Sequence, residues 1–173
     1  SQGLAAVAGS LSAKGGAQGG DGGFIETSGA HVKIADSARV STHAANGKAG
    51  TWLIDPADYT IAASGGDITG ATLGTNLAST SVTISSTEGT INTSGNGDIF
   101  VNDAVSWNSA NSLTLSAIRD INVNRAITNT GSGGVNLYAN ASDTGGAIVL
   151  NPGASVSTNG GNVTLAGAGG GGY

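Results

Sequence analysis

His31 and His43 are the only histidines of the chain, and Asp36 or Glu26 would have to join them to make a zinc site. Zinc asks for three or four convergent nitrogen, sulfur or carboxylate ligands, and there is no cysteine to supply thiolate. Two solvated histidines on separate strands is the plainer reading, so no metal is expected. The run Gly19-Gly20-Asp21-Gly22-Gly23-Phe24 partly matches the calcium nonapeptide of β-rolls, in which adjacent turns share oxygen ligands. It occurs once and imperfectly, and reads as a turn. Glycoside hydrolysis would need two carboxylates about 5–9.5 Å apart, for which Asp98 or Asp103 near Asp120 are the candidates. Eleven acids spread along a chain bring some pairs together by chance, and the adjacent Arg119 and Asp120 read as a solvated pair worth little. With no Ser-His-Asp order and no phosphate-cradling loop, no catalytic residue and no cofactor is assigned. Asn92, Asn140 and Asn162 each open an Asn-x-Ser/Thr acceptor pattern for glycosylation, a pattern that an Asn- and Thr-rich chain also produces by chance.

The scaffold that must carry these groups is unusual in composition. Of 173 residues, 31 are glycine, only 10% are charged and 4% are aromatic. Soluble disorder relies on charge, whereas this chain has short apolar runs such as Val82-Thr83-Ile84 and Leu113-Thr114-Leu115. Order is expected, but not around an aromatic core. The net charge of −5 and the scattered Lys14, Lys33, Arg39, Lys48, Arg119 and Arg125 exclude a nucleic-acid partner, which needs clustered cations. No apolar run approaches the roughly 18 residues of a membrane-spanning helix, so no membrane insertion is expected. Methionine is absent, so Ser1 is not a translational start, and the chain is expected to be a processed product or an internal stretch.

Self-similarity organises the sequence. Six strand-like segments start at Phe24, Thr51, Val82, Leu113, Val135 and Val163, and in the last four apolar and polar residues alternate, as on a strand with one buried face. Ile84, Leu115, Leu137 and Leu165 are thereby predicted to stack as one core column. A second set of strands is predicted at Val32–Ile34, Tyr59–Ile61, Ile91–Thr93, Ile121–Val123 and Ile148–Leu150. A third set is predicted at Val40–Thr42, Ala71–Leu73, Val105–Trp107, Ile127–Asn129 and Val156–Thr158. Three short strands per repeat is the pattern of an all-β parallel β-helix, or β-solenoid, of about six coils. At about 4.8 Å per coil it would be roughly 25–30 Å long. Glycine and asparagine between the strands suit tight corners. Residues 1–23 read as a Gly/Ala-rich first coil, 64–81 as a projecting loop and 166–173 as a Gly-rich end of one segment, 1–173. Trp52 and Trp107 read as packing residues. Thr83, Thr114 and Thr164 share an outer row, but the unequal coil lengths argue against a flat, ice-binding lattice. An antiparallel sandwich is the competing fold, disfavoured by the return of similar segments and the lack of a dominant hairpin pattern.

Gly22-Gly23-Phe24-Ile25-Glu26-Thr27-Ser28-Gly29, then Gly50-Thr51-Trp52-Leu53-Ile54-Asp55-Pro56 through Ile61, resembles the filamentous-haemagglutinin-type exoproteins of Gram-negative bacteria. Gly97–Asn102 and Leu113–Val123 look like the same family, and the resemblance covers roughly residues 15–140. It implies a right-handed β-helical shaft and two-partner secretion to the extracellular space or outer cell surface. It also implies roles in adhesion, aggregation or biofilm formation, with a host-cell or matrix surface as possible partner. The family's secretion-recognition domain is not recognisable in these residues, so no binding or catalytic residue is carried over. A carbohydrate-active β-helix enzyme, a polysaccharide lyase or hydrolase, is the alternative. Because Gly3–Ala8 and the Gly-rich end lack polar caps, both ends are expected to be continued by further coils. Those coils would belong to the same long chain or to head-to-tail copies that build a filament.

Overall fold

The computed structural model describes residues 3–86, 95–139 and 145–167. Its strands, numbered in chain order, are parallel, and each pairs with strands from neighbouring repeats rather than with the next strand in sequence. The first sheet contains six: β3 (Phe24–Ser28), β6 (Thr51–Asp55), β8 (Ser81–Ser85), β11 (Leu113–Ser116), β14 (Val135–Tyr138) and β17 (Val163–Ala166). The second position begins with β1 (Leu4–Val7) paired to β4 (His31–Ile34). It resumes as a four-stranded sheet of β7 (Tyr59–Ile61), β9 (Ile99–Val101), β12 (Ile121–Val123) and β15 (Ile148–Leu150). The third begins with β2 (Ser10–Ser12) paired to β5 (Arg39–Ser41), and resumes with β10 (Val105–Trp107), β13 (Ile127–Asn129) and β16 (Val156–Thr158). The chain thus visits three sheet positions in turn and returns to the first. The expected strand Ile91–Thr93 lies outside the described residues.

Residues alternate between faces because successive side chains of a strand point to opposite sides. Register places Thr27, Ile54, Ile84, Leu115, Leu137 and Leu165 in one inward row. Ile84, Leu115 and Leu137 are fully buried, while Leu165, on the edge strand β17, is 45% exposed. The parallel inward row contains Ile25, Trp52, Val82, Leu113, Val135 and Val163. Trp52 and Trp107 are both buried. Their indole N–H groups donate to Thr27 Oγ1 at 3.1 Å and to the Asn111 carbonyl at 2.9 Å. A buried indole needs such a partner, and neither ring is available as a sugar platform.

On the outer face, Thr83, Thr114, Asn136 and Thr164 lie in strict register. Unequal repeat lengths therefore leave the register of this row intact, while Asn136 interrupts its threonines. The extra residues are absorbed between the strands. Corners are pressed together so tightly that a Cβ on Gly133 would sit 1.9 Å from the Asn111 carbonyl oxygen, and one on Gly161 2.1 Å from that of Gly133.

The largest departure from the sequence reading is the segment 64–81. It does not project, and Ala71–Leu73 is not a strand. Gly70–Leu77 forms a helix, α1, that occupies the third position between β5 and β10, with Leu73 and Leu77 fully buried. Thr69 caps its start by accepting from the Thr72 amide at 3.2 Å. Gly70 and Gly74, one turn apart, lie against β10. A Cβ on either would come within 2.0 Å of the Ala104 oxygen or 2.2 Å of the Ser106 oxygen. Two glycines and two threonines in eight residues make a poor helix former, so this helix is held by its surroundings. The sequence reading also missed β1 and β2, whose alanine- and serine-rich stretches carry a weak apolar signal.

Two outcomes follow from this packing. Leu115→Asp should lower stability by several kcal/mol, because a buried charge would have no partner, and Thr114→Asp by much less, as read from thermal melts. Gly74→Ala should lower the melting temperature although alanine favours a helix by about 1 kcal/mol, because the added methyl meets the β10 backbone.

Candidate functional site

Two of the acids that raised the question of catalysis, Asp98 and Asp120, share with Asp58 one corner of the fold, immediately before the strands of the second position. Asp58, Asp98 and Asp120 precede Tyr59, Ile99 and Ile121, which are register partners, so the three occupy equivalent places in successive repeats. Each carboxylate accepts the backbone N–H of the equivalent residue in the next repeat. Asp58 Oδ1 accepts from Asp98 at 2.9 Å, Asp98 Oδ1 from Asp120 at 3.1 Å, and Asp120 Oδ1 from Ala147 at 2.8 Å. Asp58 Oδ1 also accepts from the amides of Asn96 and Gly97, both at 2.8 Å. One oxygen therefore gathers three consecutive backbone donors.

Asp98 is 4% exposed and forms a two-point ion pair with Arg119, whose Nε donates at 2.8 Å and whose second guanidinium nitrogen also bonds the carboxylate. That bond raises the Arg119 pKa further above its already high ordinary value. Arg119 is 3.5 Å from Asp120, so its principal partner is Asp98 rather than its sequence neighbour, as the sequence reading had it. The fork geometry of guanidinium on carboxylate fixes both groups. Asp103, the other candidate acid, accepts from the first helical amide of α1, Gly70, at 2.8 Å and from Ala104 at 2.9 Å. These carboxylates are committed to backbone amides and to Arg119. What the corner does chemically is hold successive repeats in register.

The opposite end of the second position carries a matching amide ladder. Asn102, Asn124 and Asn151 directly follow β9, β12 and β15. Asn124 Nδ2 donates to Asn102 Oδ1, and Asn151 Nδ2 to Asn124 Oδ1, each at 2.6 Å. Neither ladder was singled out in the sequence. The signal was present: Asp58, Asp98 and Asp120 immediately before, and Asn102, Asn124 and Asn151 immediately after, equivalent strand triplets.

His31 and His43 are exposed, and among the described residues no group of three or more His, Cys, Asp or Glu side chains converges. Asp21 Oδ1 accepts from the Lys48 amide at 2.8 Å, which assigns the Gly19–Phe24 motif a turn-tying contact. Asn162 is exposed, while Asn92 and Asn140 lie outside the described residues. An open, shallow recess lies where Ile34 and Asp36 face Ala62, Ser64, Asp67 and Thr69. In its wall Asp36 Oδ1 accepts from Thr72 Oγ1 at 2.5 Å and Thr69 Oγ1 at 2.8 Å. The hydrogen bonds from Thr72 and Thr69 hold its carboxyl below the ordinary aspartate value. Deeper inside, burial, reinforced by Asp67, pushes the Tyr59 phenol well above its usual pKa.

Set beside known proteins, the chain matches no family model, no curated protein and no solved structure.

The Asp36 contacts set a pH dependence. A carboxyl with a lowered folded pKa contributes stability above its unfolded value near 4 and loses it as pH falls through the folded value. The denaturation midpoint should therefore drop between pH 5 and pH 2.5, and Asp36→Asn should make that drop smaller, as checked by urea titrations at both pH values.

Proposed function

We propose that the chain is a structural and adhesive shaft segment of a large, secreted surface protein of a Gram-negative bacterium. Its three sheet positions are the faces of a right-handed β-helix of about six coils, exported by two-partner secretion and serving attachment, aggregation or biofilm formation. The observation that carries this reading is where the polar side chains go. Asp58, Asp98, Asp120, Asn102, Asn124 and Asn151 tie one repeat to the next. A scaffold that uses its carboxylates and amides in this way serves length and rigidity. The resemblance of Gly22–Gly29, Gly50–Ile61, Gly97–Asn102 and Leu113–Val123 to haemagglutinin-type exoproteins suggests the adhesive role and the location. Further coils at either end, covalent or from head-to-tail copies, fit the same reading.

The test is deletion of residues 24–166 from the parent protein in its own bacterium. Attachment to cultured cells and to a solid surface should fall, together with autoaggregation, while the bacterium grows normally. Unchanged attachment by a deletion strain that still exports the truncated protein would overturn the adhesive role. Release of new reducing ends from acidic polysaccharides by the purified chain, lost in Asp120→Asn, would replace it with the enzyme reading.

A further inference from the structure

One level of the stack is built differently from the rest. Between β6 and β8 the first sheet continues as an ordinary ladder, Trp52 opposite Val82 and Ile54 opposite Ile84. In the other two positions no strand ladder crosses. β4 and β7 do not pair, and residues 66–68 lie between them instead. The Ile34 amide donates to the Asp67 carbonyl at 2.8 Å, and the Asp67 amide to Thr60 at 2.7 Å. Lys33 reaches across to the Gly66 carbonyl and to Asp67, both at 2.9 Å. In the third position α1 separates β5 from β10. The same segment, 62–80, thus fills two of three positions at one level.

The two sides of this layer are joined differently. Towards β10 the contact is close backbone packing through Gly70 and Gly74, closed by Ser109 Oγ and Asn111 Nδ2, both donating to the Leu77 carbonyl at 2.8 Å. Towards β5 the ladder is replaced by individual side chains. Asn76 Oδ1 accepts the buried Val40 amide at 2.7 Å, and Ser79 Oγ donates to the Val40 carbonyl at 2.9 Å. Thr42 Oγ1 donates to Thr80 Oγ1 at 2.6 Å, and Asp36 receives Thr69 and Thr72. The end coil on this side is thinly cored: Ala5, Val7, Leu11 and Ile25 are only partly buried, as Ile148 and Val156 are at the opposite end. Val32, Ile34 and Val40 beside the layer and the inward residues of β8 to β12 are fully or almost fully buried.

We propose that this layer is a joint that divides the structure into two cooperative units, with residues 3–55 opening from the remainder along the β5–α1 face. Asn76 is its principal tie, since its amide does for β5 what a neighbouring strand does elsewhere. Local opening follows units of contiguous contacts, and here the contacts crossing the boundary come down to one ladder, a backbone wedge and a few side-chain bonds. The inference does not depend on the adhesive role. It gives the fold a fixed place at which heat or tension would first part it.

Native-state hydrogen exchange on the whole chain tests it. Amides of β1, β2, β4 and β5 should share one opening reaction at lower denaturant than those of β9 and β11 to β13. Asn76→Ala leaves the buried Val40 N–H without its acceptor, and should speed exchange in β4 and β5 by about tenfold or more while β11 to β13 stay within about twofold. If that variant does not fold, Ser79→Ala gives the same comparison with a smaller change. Equal acceleration on both sides of the layer means one cooperative unit and overturns the joint. No acceleration at Val40 and its neighbours removes Asn76 as the tie and overturns the proposal equally.

Discussion

Parallel strand pairing between repeats is the constraint on which everything else in this protein depends. A strand in these sheets satisfies its backbone N–H and C=O groups chiefly by means of strands one repeat away, and buried backbone groups must be satisfied. Each repeat must therefore present its strands at the same heights, whatever its length, and where it lacks one, as at α1, other groups must answer the open edge. Extra residues are pushed into corners or folded into a layer of their own. The strict row from Thr83 to Thr164, carried through repeats of unequal length, is the direct result.

The polar chemistry follows from the same constraint. At a corner the chain turns, and the amides just before a strand lose their ladder partners. An aspartate at that place offers an acceptor to the next repeat, and a chain of them turns a weakness into a seam. The cost is charge: carboxylates stacked at strand spacing repel one another. Arg119 meets that at the most buried of them, Asp98. The asparagines at the far end of the same strands do the equivalent work without charge, each amide being both donor and acceptor. As seams, they explain why a chain with so few charged residues places three of its carboxylates in one column.

The helix shows how far the scaffold tolerates a different element. α1 fits because Gly70 and Gly74 let it lie against the β10 backbone, and because Asn76 and Ser79 answer the exposed edge of β5. Between its ends a helix satisfies its backbone internally, so along its length it meets a strand edge with side chains. That is the physical reason such a layer differs in strength from a ladder.

Alternation in Val82–Ser85, Leu113–Ser116 and Val135–Tyr138 was enough, from the sequence alone, to determine which residues face inward, because on a strand adjacent side chains must point to opposite faces. The spacing of similar segments determined that strands return to the same sheet. Three things were decided only by the tertiary structure. Gly70–Leu77 has low helix propensity and became a helix because its partners are β5 and β10, some 30 residues away in either direction. Asp98 chose Arg119 across 21 residues, a pairing no local pattern encodes. The thinly cored β1 and β2 became strands because β4 and β5 offered edges. Local periodicity sets which way a side chain points; contacts between distant segments decide what it meets.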